Sequence, residues 1–196
     1  MMGIMAISNF QKGKEDTMSK KVLIISTSLR KNSNSSKLAE AFANGARESG
    51  HEVEIVTLIG KSIAFCKGCL ACQKNGECVI KDDASHIVEK MLRADALVFA
   101  TPVYYYEMSG QMKTMLDRAN PLFPSDYSFR DVYLLATAAE EDEHAMDGAV
   151  HGLNGWIACF GKARLAGTVF GGGVTAQGEI AGHPSLETAK DMGKSL

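Results

Sequence analysis

The chain has 196 residues, 45% of them apolar and 22% charged, with a formal net charge of −2. That composition suits a globular domain that buries a core without disulfides or metal, and it excludes a disordered chain. The near-neutral charge lacks the concentrated basic face that nucleic acid requires, and no apolar run approaches the roughly 18 residues needed to cross a bilayer. Neither nucleic acid nor a membrane is therefore an expected partner, and a cytoplasmic chain is the simplest reading.

Residues 1–20 follow neither a helical nor a strand period and read as a flexible N-terminal arm; residues 21–196 read as one domain. Val22–Ile25 is a continuous apolar run, the mark of a strand covered on both faces. A polar loop follows to Asn34, and the next stretch carries Leu38, Phe42 and Ala46 on one helical face before stopping at Gly50. The second strand spans Glu52–Leu58, followed by a cysteine-rich insertion at 63–81. Asp82 and Asp83 open a helix that buries Ile87, Val88, Met91 and Leu92. The third strand spans Ala96–Thr101 and is expected to stop at Pro102. A helix from Ser109 presents Met112, Met115, Leu116 and Ala119; Val132–Ala136 makes the fourth strand. A long helix is expected from Asp142 to Phe160, a fifth strand over Arg164–Phe170 and a last helix over 184–194. Strands alternating with helices predict an α/β fold whose parallel sheet has helices on both faces. Such sheets take ligands beyond the carboxyl ends of their strands.

The loop after the first strand, Thr27–Ser35, packs four hydroxyls and two cations around a helix start. Unpaired N–H groups at a helix N-terminus attract anions, and the hydroxyls can donate to phosphate oxygens. The loop has neither GxxxxGK[ST] nor GxGxxG, so a monophosphate fits it better than a triphosphate or a dinucleotide. Simple capping by Ser33 or Asn34 is the plain alternative.

After the third strand, Tyr104, Tyr105 and Tyr106 stand together behind Pro102, an environment suited to a flat isoalloxazine ring. Spacing alone leaves open which tyrosine meets the ring, although alternation puts Tyr104 and Tyr106 on one side of an extended segment. Past the fourth strand, Thr137, Ala138 and Ala139 are small enough to admit a ring edge to the backbone. The acidic run Glu140–Glu143 reads as a solvated helix start, His144 as a candidate proton donor at the rim, and Gly171–Gly173 as a turn or a close contact.

Cys66, Cys69, Cys72 and Cys78 follow the spacing C-x2-C-x2-C-x5-C. Four thiolates can hold a [4Fe-4S] cube or a tetrahedral zinc; bare thiols and a transient disulfide are open alternatives. Cys159 reads as a small hydrophobe facing inward from its helix.

Three motifs taken together carry a resemblance over about residues 21–175: T-S-L-R-K-N-S-N-S at 27–35; the cysteine spacing followed by V-I-K-D-D at 79–83; and A-D-A-L-V-F-A-T-P-V-Y at 94–104 leading into S-G-Q-M-K-T-M-L-D-R at 109–118. On these residues the chain resembles the NADPH-dependent FMN reductases of the flavodoxin-like superfamily, close to the iron-sulfur flavoprotein branch. The resemblance implies a three-layer sandwich with a five-stranded parallel sheet in the order 2-1-3-4-5. It implies that Ser28, Arg30, Ser33, Asn34 and Ser35 hold the FMN phosphate, that Pro102, Val103, Tyr104 and Tyr105 line the isoalloxazine ring, and that Thr137 sits at its far edge. No side chain is then needed as a catalyst, because hydride from NAD(P)H is taken up at flavin N5 and passed to a quinone, a nitro or azo aromatic, or another flat acceptor. Lys113 and Arg118 are expected to pin the helix after the flavin loop. A [4Fe-4S] cluster on Cys66, Cys69, Cys72 and Cys78 is the metal site so implied, and with it an alternative role in electron transfer to a partner protein. A homodimer or homotetramer is the expected assembly. A third reading, a zinc-bound interaction module without flavin, leaves the tyrosine loop unexplained.

Overall fold

The computed structural model describes residues 18–196. The N-terminal arm expected over 1–20 thus lies, for residues 1–17, outside the described residues. Twelve regular elements follow in chain order: β1 (Lys21–Ser26), α1 (Asn34–Glu48), β2 (Glu52–Thr57), α2 (Ala71–Asn75), α3 (Asp83–Arg93), β3 (Ala96–Tyr104), β4 (Glu107–Met108), α4 (Gly110–Arg118), β5 (Asp131–Thr137), α5 (Asp147–Ile157), β6 (Arg164–Gly171) and α6 (Ser185–Lys194). No helix among the described residues is long and apolar enough to cross a membrane.

Five strands pair in parallel in the order β2-β1-β3-β5-β6, which is the expected order when the parallel strands alone are numbered. The sixth, β4, is a two-residue strand that folds back antiparallel on the end of β3. Because β-strand side chains alternate, each central strand feeds two cores. Val22 and Ile24 of β1 face α1 and α6 with Leu38, Phe42 and Ala189, while Leu23 and Ile25 face the layer of α3, α4 and α5 with Ile87, Met91, Met112, Met115 and Leu153. The two helices of the first layer cross at glycines. A Cβ on Gly45 would come within 1.9 Å of the Lys190 carbonyl oxygen, and one on Gly193 within 2.1 Å of that of Phe42. In the second layer Trp156 lies against Phe99, Phe129 and Phe160.

Three expectations are corrected. Pro102 does not stop β3, which continues to Tyr104. The ladder to β1 ends at Ala100, so the missing N–H of Pro102 breaks nothing on that side, while pairing to β5 carries on as far as Pro102 opposite Thr137. The helix expected from Asp142 begins as a 3-10 turn over Glu143–Met146, capped by Asp142, and becomes α-helical only at Asp147. It ends at Ile157, so Cys159 lies beyond the helix and is exposed rather than buried.

Candidate functional site

The carboxyl ends of β1, β3, β5 and β6 surround one cleft of about 170 Å3. Ser28, Arg30, Ser33, Asn34, Ser35, Pro102, Val103, Tyr104 and Thr137 line it, joined by Ala138, Ala139, Val174 and Thr175. A larger groove of about 580 Å3 runs past Lys21, Glu52, Glu54, His86 and Lys90. It lies at the amino ends of the strands, the side on which sheets of this kind do not take ligands.

The floor of the cleft is the first turn of α1. The Ser33 hydroxyl accepts from the Ser36 N–H at 3.1 Å and so caps the helix. The Asn34 and Ser35 N–H groups, at the first two helical positions, have no helical carbonyl to bond. Ser28, Ser33 and Ser35 are buried, and the Ser33 and Ser35 hydroxyls stand 3.4 Å apart. A buried set of hydroxyls and N–H groups at the positive end of a helix, with an arginine at the rim, fits a phosphate ester.

The Asn34 side chain also braces a second loop. Its Nδ2 donates to the Ala176 carbonyl at 2.9 Å, and its Oδ1 accepts from the Ile180 N–H at 3.3 Å. Arg30 also reaches this segment, donating from Nη1 to the Thr175 carbonyl at 2.8 Å. The loop after β6 is thereby clasped over the α1 end of the cleft. It is tied in turn to the loop after β5, since the Val174 N–H donates to Ala138 and the Gly173 N–H to Glu140. Val174 and Thr175 are lining residues that sequence reasoning missed. The signal was the glycine run before them: a Cβ on Gly172 would lie 2.7 Å from the Glu140 carbonyl oxygen and 2.8 Å from that of Glu141.

The opposite wall is a hairpin. Val103 pairs with Met108 and Tyr104 with Glu107, leaving Tyr105 and Tyr106 as a two-residue turn with φ of 52° and 62°. Two successive residues of positive φ make the mirror-image turn that suits hairpin twist, a position normally held by Asn-Gly. The segment is therefore not extended past Tyr104. Tyr104, half-exposed, lines the cleft, whereas Tyr105 is fully exposed and does not, and Tyr106 does not share the side of Tyr104. Pro102, Val103 and Tyr104 line the cleft with apolar surface beside Thr137, Ala138 and Ala139, a setting suited to a flat ring. His144 does not line the cleft; it bonds the Asp147 carboxylate at 3.0 Å in the open, which raises its pKa above the usual histidine value.

At 170 Å3 the cleft is smaller than the roughly 300–1,000 Å3 of enclosed ligand pockets. A cleft of this size has room for one edge of a flat ring and would leave the rest of it uncovered. In donor chemistry, shape and position at the strand ends, these residues fit FMN.

The cysteine segment packs on another part of the molecule, against the end of α4. Arg118, buried, forms a two-pronged ion pair with Asp82, from Nη1 to Oδ2 at 2.6 Å and from Nη2 to Oδ1 at 2.8 Å, and also donates to the Ala64 and Ile80 carbonyls. It pins the end of α4 to the two ends of the cysteine segment. Lys113 makes only an exposed pair with Asp117. Burial alone would raise the Asp82 pKa; hydrogen bonds from Arg118 and the Ala64 N–H outweigh it and hold the carboxyl below the usual range. Cys66 and Cys69 are exposed, Cys72 is buried and Cys78 half-buried. Four thiols fit a soft metal in donor chemistry. In position the segment does not gather them: among the described residues no three His, Cys, Asp or Glu side chains stand close enough to share an ion.

The family model described as NADPH-dependent FMN reductase matches residues 20–176. An iron-sulfur flavoprotein of Methanocaldococcus jannaschii is 38% identical over 102 residues, 52% of this chain and 53% of that protein. An iron-sulfur flavoprotein of Methanosarcina thermophila is 28% identical over 177 residues, 90% of this chain and 93% of that protein. The match thus spans about half the length of the first relative and nearly all of the second. Among solved structures, an NAD(P)H:quinone oxidoreductase from Methanothermobacter marburgensis superposes with a TM-score of 0.67 at 18% identity, over 91% of this chain and all of that one, a likeness of fold.

Proposed function

The chain belongs to the NADPH-dependent FMN reductase family, and from that premise we propose that it is an FMN-dependent oxidoreductase, taking a hydride from NAD(P)H and passing it to a quinone, a nitro or azo aromatic, or another flat acceptor. The observation that carries this reading is the single cleft lined by every expected flavin contact except Tyr105. Bound FMN would supply the hydride and electron chemistry.

The protein's own part is binding, orientation and electrostatics. Ser28, Ser33, Ser35 and the first N–H groups of α1 receive the phosphate, and Arg30 adds a cation at the rim. Asn34 holds the clasp of residues 174–180 that walls this end. Pro102, Val103 and Tyr104 would hold the ring, with Thr137–Ala139 beside it. The lining carries no cysteine, histidine or carboxylate, in keeping with chemistry that asks no side chain for a proton or a nucleophile. The narrow cleft and the exposed tyrosines beside it support a homodimer or homotetramer in which a second copy completes the wall.

The test is anaerobic purification followed by flavin analysis and turnover with NADPH and a benzoquinone. One FMN per chain, bleached by NADPH and recoloured by quinone, is the expected result; a chain that stays colourless when mixed with FMN sinks the proposal.

A second reading is electron transfer through a [4Fe-4S] cluster on Cys66, Cys69, Cys72 and Cys78. Its support is the cysteine spacing and the iron-sulfur flavoproteins among the relatives. About four irons per chain, with faster flavin reduction by a ferredoxin than by NADPH, would favour it.

A further inference from the structure

The two edges of the sheet are guarded differently. Along β2, Glu52 and Glu54 alternate, and Glu54 pairs with Lys90; charged side chains on an edge strand keep other strands from pairing with it. The other edge is β6, which bonds β5 alone. At its start β6 carries the exposed Arg164 and a bulge opposite Val132 and Tyr133, two more devices of the same kind. From Thr168 to Gly172 it has no charge, no proline and no bulge. The Gly171 carbonyl accepts from the Ala138 N–H on the β5 side, so by alternation Thr168 and Phe170 turn their N–H and C=O groups outward. Among the described residues no other backbone group meets them there.

A groove of about 770 Å3 opens on this unguarded stretch. Glu143 and Met146, which lead into α5, line one side of it, and Pro184 and Thr188, at the start of α6, line the other. The bare edge therefore lies in a slot between the two helical layers. At the usual rise of a strand the slot is about 17 Å long from Thr168 to Gly173, the length of an ordinary strand. It is also acidic: Glu141 and Glu143, both exposed, line it, and no lysine or arginine does.

We propose that this slot receives, by strand addition to β6, an extended basic segment of a partner protein. Main-chain hydrogen bonds to Thr168 and Phe170 supply affinity, Phe170 and Met146 offer apolar contact to alternate side chains, and Glu141 and Glu143 select lysine or arginine. A second copy of this chain is the poorer occupant, because pairing β6 with β6 would bring the glutamates of both slots together. Gly173 borders the slot and Val174 and Thr175 line the flavin cleft, so the partner is held beside that cleft. The FMN reading uses none of the slot's groups, and the two stand or fall separately.

The full chain with its FMN would be titrated at low salt with a fluorescein-labelled peptide alternating lysine with valine, and with the same peptide carrying glutamate for lysine. Fluorescence anisotropy should show the lysine peptide bound about 10-fold more tightly or better, an advantage that shrinks as salt screens the charges. Glu141→Gln combined with Glu143→Gln should weaken it by about 5-fold, with FMN content as in wild type. Thr168→Pro removes an outward N–H and leaves the β5 ladder whole, and it should weaken the lysine peptide by about 5-fold or more. Methylating alternate amide nitrogens of the peptide should do the same without touching the protein, and carries this arm if Thr168→Pro does not fold. Hydrogen exchange followed by NMR should slow at the Thr168 and Phe170 amides when the lysine peptide binds. Equal binding of the two peptides, indifference to the glutamate changes, or exchange at Thr168 and Phe170 unmoved by bound peptide overturns the proposal. So does protection of these amides in the free protein, which assigns the slot to residues 1–17 of the same chain if the protein is a monomer and to a second copy if it is not.

Discussion

Thr27 Oγ1 and Ser109 Oγ lie 3.1 Å apart in a seam where neither side chain meets solvent. Thr27 is the first residue after β1 and Ser109 the cap of α4, so one hydroxyl contact links the phosphate side of the cleft to the tyrosine hairpin. The Thr101 hydroxyl joins them, 3.1 Å from Ser109 Oγ and accepting the Ser109 N–H, while Thr27 also donates to the Ala100 carbonyl. Ser109 further caps α4 through the Met112 N–H. Ser109→Ala removes a cap and leaves buried hydroxyls short of a partner, so a loss of about 1–3 kcal/mol in urea unfolding is expected, with weaker FMN retention because the hairpin is no longer tied down.

Arg30 is expected to act on the phosphate and on the clasp together, and two ligands separate the roles. Arg30→Ala should weaken FMN by about 10-fold, the equivalent of about 1.4 kcal/mol, because a charge-assisted bond to phosphate is lost. Riboflavin, which has no phosphate, should lose less than FMN, only the part that the clasp contributes. Equal losses for both ligands in fluorescence titrations would assign Arg30 to holding Thr175 alone.

Gly172→Ala places a methyl against the Glu140 and Glu141 carbonyl oxygens, at 2.7 and 2.8 Å, and backbone cannot yield as a side-chain tip does. The loops after β5 and β6 must part, at a cost of about 1–3 kcal/mol. Both loops wall the cleft, so FMN affinity should fall along with the thermal midpoint. A variant as stable as wild type and with full affinity would show that the two loops accommodate the methyl without parting.

These residues mark where sequence reasoning succeeds and where it stops. The run Val22–Ile25 and the hydroxyls behind it declare a buried strand and an anion-binding helix start, because each depends on neighbours in sequence. The clasp does not declare itself: Asn34 meets Ala176 and Ile180 across nearly 150 positions, and nothing near Asn34 distinguishes that bond from a bond to phosphate. Pro102 misled for a related reason, since whether a proline ends a strand depends on which neighbouring strand still needs its N–H. Cys159 misled because helical phase was carried past Ile157, where the helix stops. The four cysteines were conspicuous as a spacing, yet among the described residues no three of them stand together, and Asn120, which donates to the Cys72 sulfur, lies outside the motif.

The Asp82–Arg118 pair makes acid stability predictable. The folded carboxyl titrates below its ordinary value of 3.8, so the unfolded chain takes up the proton first as the pH drops. The stabilisation is complete above that value and is lost as the pH falls from there through the lower folded value. Thermal midpoints from pH 6 down to 3 should fall for wild type, and Asp82→Asn should show a flatter profile over the acid limb. At pH 7 the variant should be less stable by about 3–5 kcal/mol, because Arg118 keeps its charge in a buried wall without a counterion. An equally steep acid limb in Asp82→Asn would move the effect to other carboxylates.

Tyr105 and Tyr106 occupy a turn that favours Asn and Gly, and left-handed backbone costs an ordinary residue about 1–2 kcal/mol. Tyr105 is fully exposed and Tyr106 largely so, which means that little packing offsets the strain. Tyr105→Asn with Tyr106→Gly should therefore raise stability, by about 1 kcal/mol or more in urea unfolding. If the tyrosines serve the flavin from a second copy of the chain, the same variant should lose dimer or tetramer in sedimentation and slow its reduction by NADPH. Gain of stability with loss of assembly and rate would mark the strain as maintained for function. Gain of stability with both unchanged would make the two aromatics incidental to the hairpin and leave Tyr104 as the one tyrosine that bears on the cleft.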